Sequence, residues 1–325
     1  MAWSAIAAIR RINRRLRPTI ILAGHWSGAH AALRAAGGGV PVVSAVHGRE
    51  VRLRPLTAVP PAQWIYDRIR THVFANAAAL VCVSRFTRQQ MRDAGVDEHR
   101  LHVVCNGVDV RHFQVPTGRH FFGRYGLSDR RILLTVARLV SRKGIDTVIE
   151  ALPAILRREP SAVYTVIGSG PDRTRLESIA MRHGVLANVH FLGAVGEPDL
   201  IDAYQNCDLF IMPARDEGPD VEGFGLVFLE AGACGKPVVG SRAGGIPDAV
   251  ADEETGILVD PSSCDQVADA VVRILSDSEL AARLGEAGRE FATTQRSWAM
   301  AASELTRIFA VLAAGRVTAR GGHSR

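Results

Sequence analysis

Two glutamates eight positions apart, Glu222 and Glu230, flank a Gly-Phe-Gly and the start of a helical pattern in "EGFGLVFLEAGACGKPVVGS", residues 222–241. A carboxylate accepts hydrogen bonds from hydroxyls, and sugar and ribose rings are rich in them. Glu222 stands in the loop and Glu230 more than a turn inside the helix, so the two need not touch the same group. The helix mouth between them offers backbone N–H groups and the positive end of a dipole, which suits an anion, typically phosphate. Gly223 and Gly225 let the backbone come close to a ligand. Together these parts suit two polyol rings with a phosphate group between them, the outline of a nucleotide sugar. The plain alternative is that Glu222 complements the helix dipole and Glu230 lies on the surface.

Neighbouring segments favour the first reading. "VARLVSRKGID" places Arg138 at the end of a strand and Lys143 beside Gly144, before a helix. Two cations at a strand end suit a diphosphate. "VIGSGPD" puts Gly168 and Gly170 after the next strand, where a base or phosphate could approach, although a lone GxG is a weak signal. "GSRAGGIPDAV" adds a third glycine-rich turn before a helix. Ligand-type residues at four strand ends are hard to assign to packing. His47 ends the strand "PVVSAVH", and His25 in "AGHWSGAH" ends another. A strand-end histidine is by itself more often a structural hydrogen-bonder. No Asp-x-Asp pair occurs in the chain, so a metal-held diphosphate is not indicated, and no cofactor is expected. Leaving-group charge then falls to Arg138, Lys143 and the helix N-terminus.

The elements that must position these residues follow a regular rhythm. From Arg131 onward, the strand patterns "RILLTVA", "AVYTVIG", "NVHFLG", "DLFIMP", "PVVGS" and "GILV" alternate with amphipathic helical patterns. Short Val/Ile-rich runs separated by helices mean parallel strands buried on both faces. The expected fold is therefore α/β, a doubly wound sheet with ligands at the carboxyl ends of its strands. The first part repeats the rhythm in fewer units, with strands "PTIILAGH", "PVVSAVHG", "ALVCVS" and "LHVVCNG", and the tail from Ser297 to about Gly315 reads as one amphipathic helix.

Composition narrows the class. The chain has 325 residues, 47% hydrophobic and 22% charged, room for two ordinary domains of a globular protein. No apolar run reaches the roughly 18 residues a membrane helix needs. "MAWSAIAAI" precedes the basic "RRINRRLR", the reverse of secretory order, so a cytoplasmic protein is expected. The five cysteines are odd in number and never at metal-ligand spacing, which reads as free core thiols. Residues 1–110 carry 15 Lys+Arg against 6 Asp+Glu, while the rest carries 24 against 27. A basic first part suits an anionic membrane face or an acidic substrate, or is simply a solvated surface. Nucleic acid is the weaker reading, because no aromatic platform accompanies the arginines.

The order and spacing of "VARLVSRKG", "VIGSGPDRTRLE", "VHFLGAV", "CDLFIMPA", "EGFGLVFLEAGACGKPVVGSRAGGIPDAV" and "ETGILVDP" resemble family 4 of the retaining glycosyltransferases, which have the GT-B fold of two facing Rossmann-like domains. "HGREV" resembles the mannosyltransferases that act on phosphatidylinositol-type lipids. The resemblance implies a first, acceptor-side domain over 1–114 with the helix 297–315 returning to it, and a nucleotide-sugar-binding domain over 115–296. It implies that Arg138 and Lys143 neutralise the donor diphosphate and that Glu222 binds hydroxyls of the transferred sugar. The amides of Gly223, Phe224 and Gly225 would line that sugar, and those of Leu226 and Val227 the phosphate. Glu230 would hold the ribose, Gly168 and Gly170 would border the nucleotide, and His47 would face the reacting sugar. His25 is an acceptor-side candidate.

The implied reaction is hexosyl transfer from a GDP- or UDP-hexose to a glycan or lipid-linked acceptor, on one face of the sugar, without metal. The alternative is a non-catalytic nucleotide-sugar-binding subunit; a dehydrogenase is remote, since no G-x-G-x-x-G follows a first strand. Family members normally start with further βα units before the segment resembling "PTIILAGH". Their absence here predicts a shortened first domain, an open sheet edge and self-association through it. The basic helix, with Arg52 and Arg54, is expected to meet the inner face of an anionic membrane.

Overall fold

The computed structural model describes residues 2–48, 60–218 and 220–321. Arg52, Arg54 and the end of "HGREV" lie outside the described residues. The chain divides into two compact units, Met1–Cys105 with Gly218–Gly223 and Ala301–Arg325, and Asn106–Glu217 with Phe224–Met300.

The first unit holds a sheet of parallel strands in the order β1 (Ile21–Ala23), β2 (Val42–Val46), β3 (Ala79–Cys82), β4 (Leu101–Val103). Parallel pairing requires crossovers, and helices α1 (Ala2–Leu16), α2 (Trp26–Ala36), α3 (Pro60–Asn76) and α4 (Arg85–Asp93) alternate with the strands. α2 starts at His25, whose ring accepts from the Ser27 amide, and stops at Gly37, which takes φ 56° where a side chain would be strained. Because side chains alternate along a strand, Val42 and Val46 pack with Ala29, Phe74 and Met91, while Val43 packs with Ala79 and Val81. The second cluster is closed by Leu305, Ile308 and Phe309 of the tail helix α12 (Trp298–Gly321). Trp298, which the apolar stripe of the tail would place with them, is 51% exposed and belongs to the second unit.

The second unit is a six-stranded parallel sheet: β5 (Arg131–Val136), β6 (Ala162–Ile167), β7 (Val189–Gly193), β8 (Leu209–Ile211), β9 (Val238–Ser241) and β10 (Ile257–Val259). Their order is β10-β9-β8-β5-β6-β7. Each strand pattern of the sequence forms its strand. The connections run one way from β5 and the other way from β8, so the switch point lies between these two, where a crevice for ligands opens at the strand ends. The helices are α5 (Val110–Gln114), α6 (Ile145–Arg158), α7 (Arg173–Arg182), α8 (Glu197–Asn206), α9 (Leu226–Ala233), α10 (Cys264–Ser276) and α11 (Ser278–Thr294). The last two were not read from the sequence. They are capped by Ser263 and Asp277, and their Val267, Val271, Ile274 and Leu284 enter the main core. All five cysteines are free thiols; Cys82 and Cys207 are buried and the others half-buried.

Candidate active site

The loop after β5 carries both expected cations. Buried Leu139 anchors it, Arg138 is exposed, and Lys143 closes a short 3-10 turn, Ser141–Lys143. The chain then enters α6 through Gly144, at φ 70°. A Cβ there would lie 2.1 Å from the Pro213 carbonyl oxygen, so only glycine lets this turn sit against the strand-end loop after β8.

Gly168 and Gly170 are explained by the same kind of contact. A Cβ on Gly168, at φ 135°, would lie 1.9 Å from the Ala137 carbonyl oxygen, and one on Gly170 2.2 Å from that of Leu139. The Leu139 amide donates to Ser169 O at 3.0 Å and the Asp172 amide to Leu139 O at 3.2 Å. The glycines therefore stitch the loop after β6 to the loop that bears Arg138. Their sequence signal reports backbone docking, whatever else they border.

Helix α9 opens without a side-chain cap, because its N-cap is Gly225 at φ 95°. Phe224 is buried, so its backbone is what it can offer a ligand; Leu226 and Val227 are half-buried. Glu230, the fifth residue of the helix, accepts a 2.7 Å hydrogen bond from the Tyr204 hydroxyl. Burial pushes its carboxyl above the ordinary range, and the Tyr204 bond only partly offsets this. Glu230 is thus not a surface residue.

In the first unit, His47 follows β2 and is exposed, and its Nε2 donates to the Gly24 carbonyl at 2.9 Å. That carbonyl precedes His25, whose Nδ1 lies 2.9 Å from the Ser27 hydroxyl. The adjacent strand ends of β1 and β2 therefore set the His47 ring against the residue that precedes His25. Glu222, half-buried, lies on the Gly218–Gly223 loop of the same unit. A Cβ on Gly223 would lie 2.1 Å from the His47 carbonyl oxygen.

The sequence reading missed a charged cluster behind the cations. Asp146, 7% exposed, takes both Arg215 Nη atoms at 2.9 and 2.7 Å and Arg175 Nη2 at 2.9 Å. Arg175 also binds Asp172. Burial alone would raise the Asp146 carboxyl, yet Arg215 and then Arg175 hold it below the ordinary range. An acid in a first helical turn reads as a dipole partner; only its place on the apolar face of α6 hinted otherwise. Tyr204 was missed too, as one more apolar position of α8. Among the described residues, no group of three or more His, Cys, Asp or Glu could hold a metal ion, and no helix is long and apolar enough to cross a membrane.

Comparison with known proteins places the chain in a family. A family model for glycosyl transferases group 1 matches residues 121–291, and one for Glycosyltransferase Family 4 matches residues 1–112. A GDP-mannose-dependent alpha-(1-6)-phosphatidylinositol monomannoside mannosyltransferase of Mycobacterium tuberculosis is 38% identical over 268 residues, 81% of this chain and 68% of the relative. The protein of that name from Mycolicibacterium smegmatis is 37% identical over 305 residues, covering 91% and 77%. Among solved structures, Anabaena Alr3699/HepE in complex with UDP superposes with a TM-score of 0.79 at 20% identity, covering 94% of this chain and 82% of that one. Sucrose-phosphate synthase from Thermosynechococcus elongatus gives 0.77 at 24%, covering 95% and 77%. At these identities the structural likeness speaks for the fold alone.

Proposed function

The chain belongs to the group 1 glycosyl transferases and has the GT-B class of fold, and from that premise we propose that it transfers a mannosyl group from GDP-mannose to a hydroxyl of a phosphatidylinositol-type or other glycan acceptor. The observation that carries the reading is the convergence of the Arg138–Lys143 loop and the loop after β8 on the switch point of the second sheet. The relatives that are 37–38% identical over the aligned residues are named for GDP-mannose, which favours GDP over UDP as the donor base.

In this reading Arg138, Lys143 and the amides of Leu226 and Val227 take the diphosphate, and Glu230 takes the ribose through its two hydroxyls. Gly168 and Gly170 border the nucleotide. Glu222 and His47 take the transferred sugar, with the backbone of Gly223, Phe224 and Gly225 beside it. The bond from the anomeric carbon to the phosphate oxygen stretches as charge builds on the diphosphate, which the two cations stabilise without a metal. The acceptor oxygen bonds to the same face of that carbon, and its proton passes to a departing phosphate oxygen, so the products are a retained mannoside and GDP. Neither glutamate is a covalent nucleophile here. Contact of the basic α1 with anionic lipid at the inner membrane face belongs to the same reading.

The test is calorimetric titration with GDP-mannose, GDP-glucose and UDP-glucose, followed by transfer to a mannosylated phosphatidylinositol with and without a chelator. Tight binding of GDP-mannose alone, and transfer that survives the chelator with retention, is the expected result. Equal affinity for all three donors would end the assignment of the base. Binding without any transfer would favour a non-catalytic subunit, and loss of transfer in the chelator would reject the metal-free reaction.

A further inference from the structure

We propose that Arg215, seated on Asp146, is a positioning residue that fixes the turn bearing Lys143 for the donor diphosphate; this rests on the assignment of Arg138 and Lys143 given above. Arg215 lies in the loop after β8, and its own amide donates to the Arg142 carbonyl at 2.8 Å. A guanidinium has five N–H donors in a rigid fork. Here Nε donates to Glu217 at 2.9 Å, Nη1 to Asp146 Oδ1 at 2.9 Å and to Thr147 at 3.3 Å, and Nη2 to Asp146 Oδ2 at 2.7 Å and to Ser141 at 2.8 Å. Five donors meet five acceptors, so Arg215 keeps none for a phosphate. Its action must go through what it holds.

What it holds is the turn on both sides of Lys143. The Arg142 carbonyl and the Ser141 hydroxyl precede Lys143, and Asp146 and Thr147 follow it. Ser141 in turn donates to Glu217 at 2.5 Å. Arg175 carries the same carboxylate on to Asp172, two residues past Gly170. One buried acid thus joins the loops after β5, β6 and β8. A buried ion pair is poor value for stability alone, since apolar residues of like volume usually do as well. What it supplies is directional fixing of a short turn, which a point charge or an apolar contact cannot give.

The experiment measures GDP and guanosine affinities of the full chain by calorimetry, with thermal stability alongside, for Arg215→Met, Lys143→Ala, the two combined, and the paired Arg215→Met/Asp146→Leu change that removes both buried charges. Arg215→Met is expected to weaken GDP about tenfold, a usual coupling within one hydrogen-bond network. Guanosine affinity should stay within about twofold of wild type. Adding Arg215→Met to Lys143→Ala should cost little further, and the paired change should regain stability but not GDP affinity. If GDP and guanosine affinities fall together, or the paired change regains both, the cluster is structural and the proposal is overturned. If Lys143→Ala weakens GDP and Arg215→Met does not, the proposal alone fails. If Lys143→Ala itself leaves GDP affinity intact, the diphosphate assignment fails and the proposal with it.

Discussion

Glu230 is a carboxylate that the fold keeps from water and then supplies with one phenol, so its ionised form is held at a cost. A group whose folded value is raised contributes stability that is fully present below its unfolded value and lost as pH rises through the folded one. Glu230→Gln should therefore raise the melting temperature at neutral pH while it weakens nucleotide binding. Glu230→Ala should lose roughly 1.5–3 kcal/mol of GDP affinity, the worth of a hydrogen bond to a charged group. In the wild type, GDP affinity should fall on acidification above the ordinary glutamate value of about 4.3. Tyr204→Phe, which removes the bond that favours the charged form, should move that midpoint further up. Titrations from pH 4 to 8 on the wild type and Tyr204→Phe check this, and a pH-independent wild type would contradict it.

The loops after β5, β6 and β8 work as elements because their backbones touch. Gly168→Ala puts a methyl into the Ala137 carbonyl at a left-handed φ, a clash with backbone that no rotamer relieves. The expected loss is above about 4 kcal/mol, the range reserved for such mechanisms. Gly184 also has a positive φ, 69°, but a Cβ there meets open space. Gly184→Ala should cost only about 1–2 kcal/mol, the left-handed penalty by itself. Urea unfolding of both variants decides between these. Comparable losses would mean that conformation, not the docking of the two loops, sets the need for glycine after β6.

At the scale of the molecule, charge is distributed by task. In the second unit the Asp146 carboxyl is held low by Arg215 and Arg175. A depressed value contributes stability that is present above the unfolded pKa of about 3.9 and lost as pH falls through the folded one. Asp146→Asn should be clearly less stable than wild type at pH 7, and the gap should close below that range; a gap constant down to pH 2 would show that the carboxylate's charge is idle. In the first unit, α1 gathers Arg10, Arg11, Arg14 and Arg15 along one groove, with Ile12 and Leu16 exposed. Each such charge near an anionic surface is worth about 1 kcal/mol and is screened by salt. Replacing Arg11 and Arg15 by Ala should reduce co-sedimentation with phosphatidylinositol-containing vesicles, most at low salt. Binding unaffected by the substitutions or by anionic lipid would remove α1 from the membrane reading.

The strands from β5 to β10 and the helices between them were legible because each is specified locally: a Val/Ile run, a helical period, a glycine at the stop. The glutamate spacing around Gly223–Gly225 likewise marked a helix mouth in one short stretch of chain. α10 and α11 had the required periodicity and caps but no strand after them to set them off. What no local pattern could give is which residues meet across loops. Asp146 and Arg215 are 69 positions apart, and each alone reads as an ordinary surface charge; only the order of β6, β5 and β8 in the sheet brings them within hydrogen-bond distance. The same ordering gave Gly168 and Gly170 a contact with the Arg138 loop that no local pattern showed. Sequence by itself determined the elements and the types of group at their ends, because those depend on neighbours in the chain. Tertiary structure decided which ends share a site and which charges are buried, because those depend on strands that pair across long separations.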